Sequence, residues 1–326
     1  MTKQTHLLDR FINALHRKIK KRSELVNFIS ETLKIEKDSA SRRLNKKVYF
    51  SIEEMEVLSI KLGISIDGLL RREKCYPLSP PYVLYPPMSV DSVSQLFKKM
   101  ERDLMLLDEV ASETAEFGSV FTFPPMEFLI PFKNLTKFVF FKWGYYFVGT
   151  DEFNNYSTWS LPPLASDANR TLMEVYNKWN SVFYIWDIST IWSLVKDVIY
   201  LTSIFALEPK DTEAIKNEMH EMLYNLEKMA SGTKNYLSES KKIDLYVSSL
   251  HLGSNFSYFI SENKWYNTFN TFFASSSLYD DYETCMQVKE WMYSLKKVCT
   301  LISESGAKER KLFFNEQHQI VETITV

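Results

Sequence analysis

Thirteen residues, "CYPLSPPYVLYPP" from Cys75 to Pro87, constrain this chain more than any others. They hold Pro77, Pro80, Pro81, Pro86 and Pro87, five of the 11 prolines in 326 residues. Each proline fixes φ at about −65° and removes an amide donor, so neither a helix interior nor a central strand runs through such a segment. Residues 76–90 therefore read as an extended, semi-rigid linker. It divides the chain into a head, residues 1–75, and a body, residues 91–326, long enough for a core of its own.

The two parts differ in charge. The net charge of −2 conceals 17 Lys+Arg against 10 Asp+Glu in residues 1–75, and 22 against 31 in the remainder. A head at +7 on a body at −9 is expected to meet a polyanion that the body does not. The excess peaks in "KDSASRRLNKK", Lys37 to Lys47, with five basic groups and one acid.

The head reads as a set of short helices. Leu7, Leu8, Phe11, Ile12 and Leu15 recur at helical spacing, as do Leu25, Phe28, Ile29 and Leu33. In "SIEEMEVLSIKLG", Ser51 and Glu54 form a capping box and Gly63 stops the helix. "SIDGLLRR" adds a last turn or two, which makes five short helices in a compact all-α unit. On a helical wheel of the basic segment, Ala40 and Leu44 stack on one face and suit packing on the preceding helix. Arg42 lies opposite them, with Asp38, Ser39, Asn45 and Lys46 to either side. A narrow apolar seam thus backs a wide polar front of groups that suit phosphates or base edges.

The order is scaffold helix, turn "LKIE", short basic helix, scaffold helix. From Glu24 to Leu69 the sequence resembles the helix-turn-helix head of phage-repressor and Lac-repressor-type bacterial transcriptional regulators. The core "ASRRLN" and the later "EEMEVLSIKLGISIDGL" carry the likeness. The resemblance implies that Lys37, Asp38 and Arg42 face base edges of double-stranded DNA. It assigns phosphate contacts to Ser39, Ser41, Arg43, Asn45, Lys46 and Lys47. Two positions depart from the family pattern: Lys34 stands where glycine is usual, and Glu36 where serine or threonine is usual. A non-glycine residue at positive φ costs about 1 kcal/mol, and Glu is a poorer N-cap than Ser. Two body segments, "IPFKNLTKFVFFKW" and "TLISESGAKERKLFFNE", resemble parts of bacterial regulators that join this type of head to a long, poorly characterised second domain.

The body is expected to be α+β, with helices dominant and a small antiparallel meander, so that the whole chain is mainly α. Helices are read over "SVSQLFKKMERDLMLLDEVASE", "TLMEVYNKWNSVFYIW", "STIWSLVKDVIYLTSIFAL", "DTEAIKNEMHEMLYNLEKMA", "YETCMQVKEWMYSLKKVCTLIS" and "AKERKLFFNEQHQIVETI". The meander is read over "KIDLYVSSLHLGSNFSYFISENKWYNTFNTFF", with turns near Gly253 and Glu262-Asn263. Twelve aromatics lie between Phe117 and Phe147. The first reading is core packing around Phe138, Phe140, Phe141 and Trp143; an interface or an effector pocket is the alternative. A helix-turn-helix monomer reads few base pairs, so a homodimer is expected, paired through the body. The candidate surfaces are the "IWSLVKDVIYLTSIFAL" helix and the closing helix with Leu312, Phe313, Phe314, Ile320 and Val321. An unknown small-molecule effector remains open as a further partner. The alternative is a helix-turn-helix head that docks on a protein.

Other chemistries find little support. Neither GxGxxG, GxxxxGK[ST] nor GxSxG occurs, and there are only 8 glycines. His6, His16, His220, His251 and His318 show no metal spacing, and Cys75, Cys285 and Cys299 form no CxxC. No run approaches the roughly 20 apolar residues of a membrane span, and no secretory pattern opens the chain. The expectation is a cytoplasmic protein without a metal, cofactor, membrane partner or enzymatic activity.

Overall fold

The computed structural model describes residues 7–64, 66, 69, 93–179, 181–233, 235–237, 242–262, 264–272, 275–304 and 306–325. The proline-rich linker lies outside these residues, as does most of the last head helix expected over "SIDGLLRR".

Among the described residues four helices build the head: α1 (Leu7–Lys18), α2 (Arg22–Leu33), α3 (Lys37–Leu44) and α4 (Ile52–Leu62). Their apolar stripes meet in one cluster of Phe11, Leu15, Leu25, Ile29, Ala40, Leu44, Phe50 and Leu58. Phe11 and Phe50 pack edge to face, ring centroids 5.6 Å apart. The α4 capping box forms as the sequence predicts, with Glu54 N donating to Ser51 Oγ and Ser51 N to Glu54 Oε2. Gly63 closes α4 in the left-handed region at φ 62°.

The body is a mixed α/β unit. Its elements run α5 (Val93–Asp108), β1 (Glu116–Phe121), α6 (Met126–Leu129), α7 (Lys133–Phe147), α8 (Pro163–Asn177), β2 (Ser181–Asp187), α9 (Trp192–Ser203) and α10 (Pro209–Ala230). There follow β3 (Lys242–Ser248), β4 (Asn255–Ile260), β5 (Trp265–Phe272), β6 (Ser275–Tyr279), α11 (Tyr282–Lys296), β7 (Thr300–Leu301) and α12 (Ala307–Glu322). The seven strands form one sheet in the order β6-β5-β4-β1-β2-β3-β7. β1, β2 and β3 run parallel, while the other neighbours pair antiparallel.

This sheet corrects the expected architecture. The meander exists, but it joins β4, β5 and β6; β3 lies three places away from β4, beside β2. Ser181–Trp186, read from sequence as the end of a helix, lies instead in the interior strand β2, and the helix stops at Asn177. From Val182 to Asp187 every residue is buried. A parallel strand covered on both faces shows no alternation, and its apolar run is indistinguishable by period from a buried helix.

Helices cover both faces of the sheet. α11 lies on one face, over Val120, Phe183, Ile185, Tyr258 and Trp265, where Cys285, Met292 and Leu295 fill the seam. Position 118 must be glycine: a Cβ there would stand 2.5 Å from the Phe183 ring and 2.6 Å from the Tyr258 ring. The other helices pack the opposite face around Phe117, Tyr184, Trp186 and Leu245. Phe138, Phe140, Phe141 and Trp143 are all buried in that layer, so core packing accounts for the aromatic-rich segment. Phe313, Phe314 and Val321 of α12 are buried too and Ile320 is half-buried, which leaves Leu312 alone of the five as an exposed apolar group.

The link from β3 to β4 crosses the carboxyl ends of β2 and β1. Three strand spacings amount to about 14 Å, and seven residue steps span at most about 24 Å, so the loop has slack that side-chain contacts must take up. Asp187, at the end of β2, staples it in passing. Its Oδ2 accepts from Leu252 N at 2.6 Å and faces His251 Nδ1 at 2.9 Å. Its Oδ1 accepts from Ser189 N and Oγ at 2.8 and 2.6 Å. Asn255 Oδ1 then accepts from Thr122 N and Oγ1, which fixes the loop to the end of β1.

Candidate nucleic-acid interface

The basic segment forms α3 over Lys37–Leu44, set against α2 by a tight turn. Lys34 occupies the left-handed region at φ 54°, ψ 45°, the conformation its glycine-type position demands. Lys34 N and Ile35 N both donate to Ser30 O, and Ser30 Oγ donates back to Ile35 O at 2.6 Å. Glu36 stands at the N-cap of α3 without a side-chain cap bond, in line with its poor capping chemistry.

Ala40 and Leu44 are buried against the head core, and α3 turns its other side to solvent. Lys37, Asp38, Arg42 and Asn45 are exposed; Ser39 and Ser41 are half-buried at the margins. Arg42 Nε lies 3.6 Å from Asp38 Oδ2, with the arginine side chain 59% exposed. An exposed pair of this kind contributes about 0–1 kcal/mol, so the guanidinium exchanges it readily for a base edge or a phosphate. Lys47 is exposed just beyond the helix.

The remaining basic residues of the segment are engaged within the head. Arg43 is only 16% exposed and grips Glu54 with both arms of its fork, Nε to Oε2 at 2.9 Å and Nη2 to Oε1 at 2.8 Å. Glu54 thereby holds α3 and the start of α4 together. The Arg43 hydrogen bonds, the largest influence, keep its carboxyl below the usual range against the opposing effect of burial. Asn45 Oδ1 accepts from Arg22 Nη2 at 2.5 Å. Lys46, at φ 59°, pairs with Asp9 of α1. Of the nine residues singled out from sequence, the fold therefore gathers Lys37, Asp38, Ser39, Ser41, Arg42 and Lys47 as the accessible set. Arg43, Asn45 and Lys46 tie α3 to α4, α2 and α1. Glu54, Arg22 and Asp9, their partners, lie 11, 23 and 37 residues away along the chain; the capping box singles out Glu54, but no local pattern reveals these pairings.

The head docks on the body through a different side. Arg17 Nη1 meets Glu283 Oε1 at 3.0 Å, its guanidinium 4.7 Å from the Tyr282 ring centroid. Lys18 Nζ binds both Asp280 oxygens, at 3.0 and 2.8 Å, and lies 4.9 Å from the Trp265 ring. Burial raises the Asp280 carboxyl above its usual range despite the neighbouring ammonium. The docking involves the last turn of α1 and Gly63, so the solvent-facing side of α3 is not what the body holds.

A groove of about 370 Å³ opens between the end of β2 and α12, lined by Ile188, Ser189, Trp192, Glu316, Gln319, Ile320 and Thr323. Among the described residues no cluster of three or more His, Cys, Asp or Glu side chains suits a metal ion. No helix of the described residues is long and apolar enough to cross a membrane. Set beside protein-family models, curated proteins and solved structures, the chain finds no match in any of the three.

Proposed function

We propose that this protein is a sequence-specific DNA-binding transcription regulator that acts as a dimer, its head reading the duplex and its body pairing and sensing an effector. One observation carries the reading. A short basic helix, pinned by Ala40 and Leu44 behind a left-handed turn at Lys34, faces solvent with Lys37, Asp38 and Arg42 exposed.

In a major groove the Arg42 fork matches guanine O6 and N7, with Lys37 and Asp38 one turn nearer the helix start. Lys47 and the Ser39 and Ser41 hydroxyls suit the phosphates on either side. Asn45 and Lys46 reach phosphate only by exchanging Arg22 and Asp9 for it. Arg43 acts as a positioning residue through Glu54.

Selection of duplexes from a random pool by the full chain tests this. The expected result is an enriched motif, in the dimer two half-sites about 34 Å apart. A pool without enrichment, joined by no duplex binding at low salt, overturns the reading.

A protein-docking head is the second reading. Tyr49, Ile52 and Ile60 favour it, as large apolar side chains exposed on and beside α4. It predicts a partner that survives nuclease treatment of the complex and no footprint on DNA.

A further inference from the structure

We infer that the exposed side of α9 is a self-association surface whose occupant is a second copy of this chain. The inference deepens the function proposed above, which calls for two copies, but its evidence is independent of DNA.

α9 buries Leu194, Val195, Val198 and Leu201 beneath the sheet. Its outer side carries a single exposed charge, Lys196, one turn before Ile199 and Tyr200, which are exposed there and followed by Ile204 and Phe205. Tyr146 of α7 extends the patch, its ring nearly parallel to that of Tyr200 at 16° with centroids 6.4 Å apart.

Phe205 is the telling residue. It is 87% exposed and sits at φ 62°, a left-handed conformation that bulky side chains avoid. The turn it makes needs only backbone, since Phe205 N donates to Thr202 O and Ala206 N to Leu201 O, both at 3.0 Å. Glycine would make those bonds without steric cost. The ring contributes almost no burial to the fold of one chain, so its worth lies in what covers it.

The size of the patch suits a copy of itself. Tyr200 and Tyr146 are 48% and 44% exposed, and Ile199 and Ile204 each 36%. With aromatic side chains of about 150–250 Å², the five residues leave about 500 Å² open per chain. Two such patches face to face remove about 1,000 Å² from water, the threshold for a specific interface. A two-fold arrangement needs only this one surface, apolar against apolar. Two flanking charge pairs are closed within the chain, Lys142 to Asp197 at 2.6 Å and Lys210 to Glu208 at 2.8 Å, while exposed Lys196 lies 5.2 Å from the Trp192 ring toward the start of α9, where it belongs to the polar rim.

Sedimentation equilibrium of the full chain without DNA, from about 1 to 100 μM, tests the inference. Wild type is expected to dimerise. Phe205→Gly and Tyr200→Glu are each expected to weaken the dimer at least about tenfold. Below the dimer's dissociation constant, Phe205→Gly should melt no lower than wild type, because it relieves the backbone rather than hollowing a core. A wild type that stays monomeric throughout, or variants that dimerise as well as wild type, would overturn it. A dimer that binds no duplex sinks the DNA reading alone. A monomer that binds a half-site duplex sinks the self-association surface alone.

Discussion

Arg42 and Arg43 leave α3 about 100° apart, and that angle separates their roles. Arg43 reaches Glu54 and is enclosed, whereas Arg42 points away from the core with only the exposed Asp38 beside it. Arg42→Ala is expected to cost about 1–3 kcal/mol of duplex binding and to relax base preference at one position, with the melting temperature unchanged. Arg43→Ala should instead lower the melting temperature of the head, since it leaves the Glu54 carboxylate without its charged partner. Competition binding and thermal melts on both variants separate the two outcomes. In the body, Asp187 is the residue on which most depends. Burial raises its carboxyl, but hydrogen bonds from Ser189 and Leu252 and the charge of His251 outweigh it, so its pKa is lowered in the fold. A lowered folded value means stability that is present above the unfolded value of about 3.9 and lost as pH falls through the folded one. Asp187→Asn is expected to cost about 1–3 kcal/mol at pH 7 and to flatten this part of the acid loss, as urea unfolding at pH 7 and below pH 4 would show. Neither the Arg43 fork nor the Asp187 staple was legible in sequence, because Glu54 lies on another helix and Leu252 65 residues away, and no periodicity links either to its partner.

At the scale of elements, the N-terminal helices were the most legible part of the molecule. Apolar spacing placed α1 and α2, the capping box placed α4, and Ala40 with Leu44 gave the buried seam of α3. These signals are local, so they survive without knowledge of the fold. The turn is where local chemistry is least comfortable. Lys34→Gly is expected to stabilise the head by several tenths to about 1 kcal/mol, the relief of left-handed strain exceeding the entropy cost of glycine. Chemical denaturation with unchanged duplex affinity would check it; a loss of stability would show that the lysine stem packs favourably. The strands were less legible. The polar-apolar alternation of β3 was visible, but its neighbours were not, and β2 was mistaken for helix because Val182 to Trp186 is apolar at every position. Pairing partners are set by which faces other helices cover, and a period along one segment does not contain that information.

At the scale of the whole molecule, the head and body meet through Arg17, Lys18, Trp265, Asp280, Tyr282 and Glu283. Lys18→Glu sets two like charges against each other at Asp280 and is expected to undock the head. Limited proteolysis should then cut residues 76–90 faster, while affinity for a single half-site changes by less than about twofold, since α3 already faces outward. Unchanged cleavage would mean that the docking is held elsewhere. Wild-type duplex binding should fall steeply with salt, in proportion to the phosphates neutralised. The sequence by itself determined the basic head and the helices whose caps and apolar stripes are written within a dozen residues; the division it suggests at the prolines lies outside the described residues. Only the tertiary structure decided which cations stay available, which strands pair and which apolar residues are left uncovered. Those depend on contacts between residues far apart in the chain, whose energies no local pattern encodes.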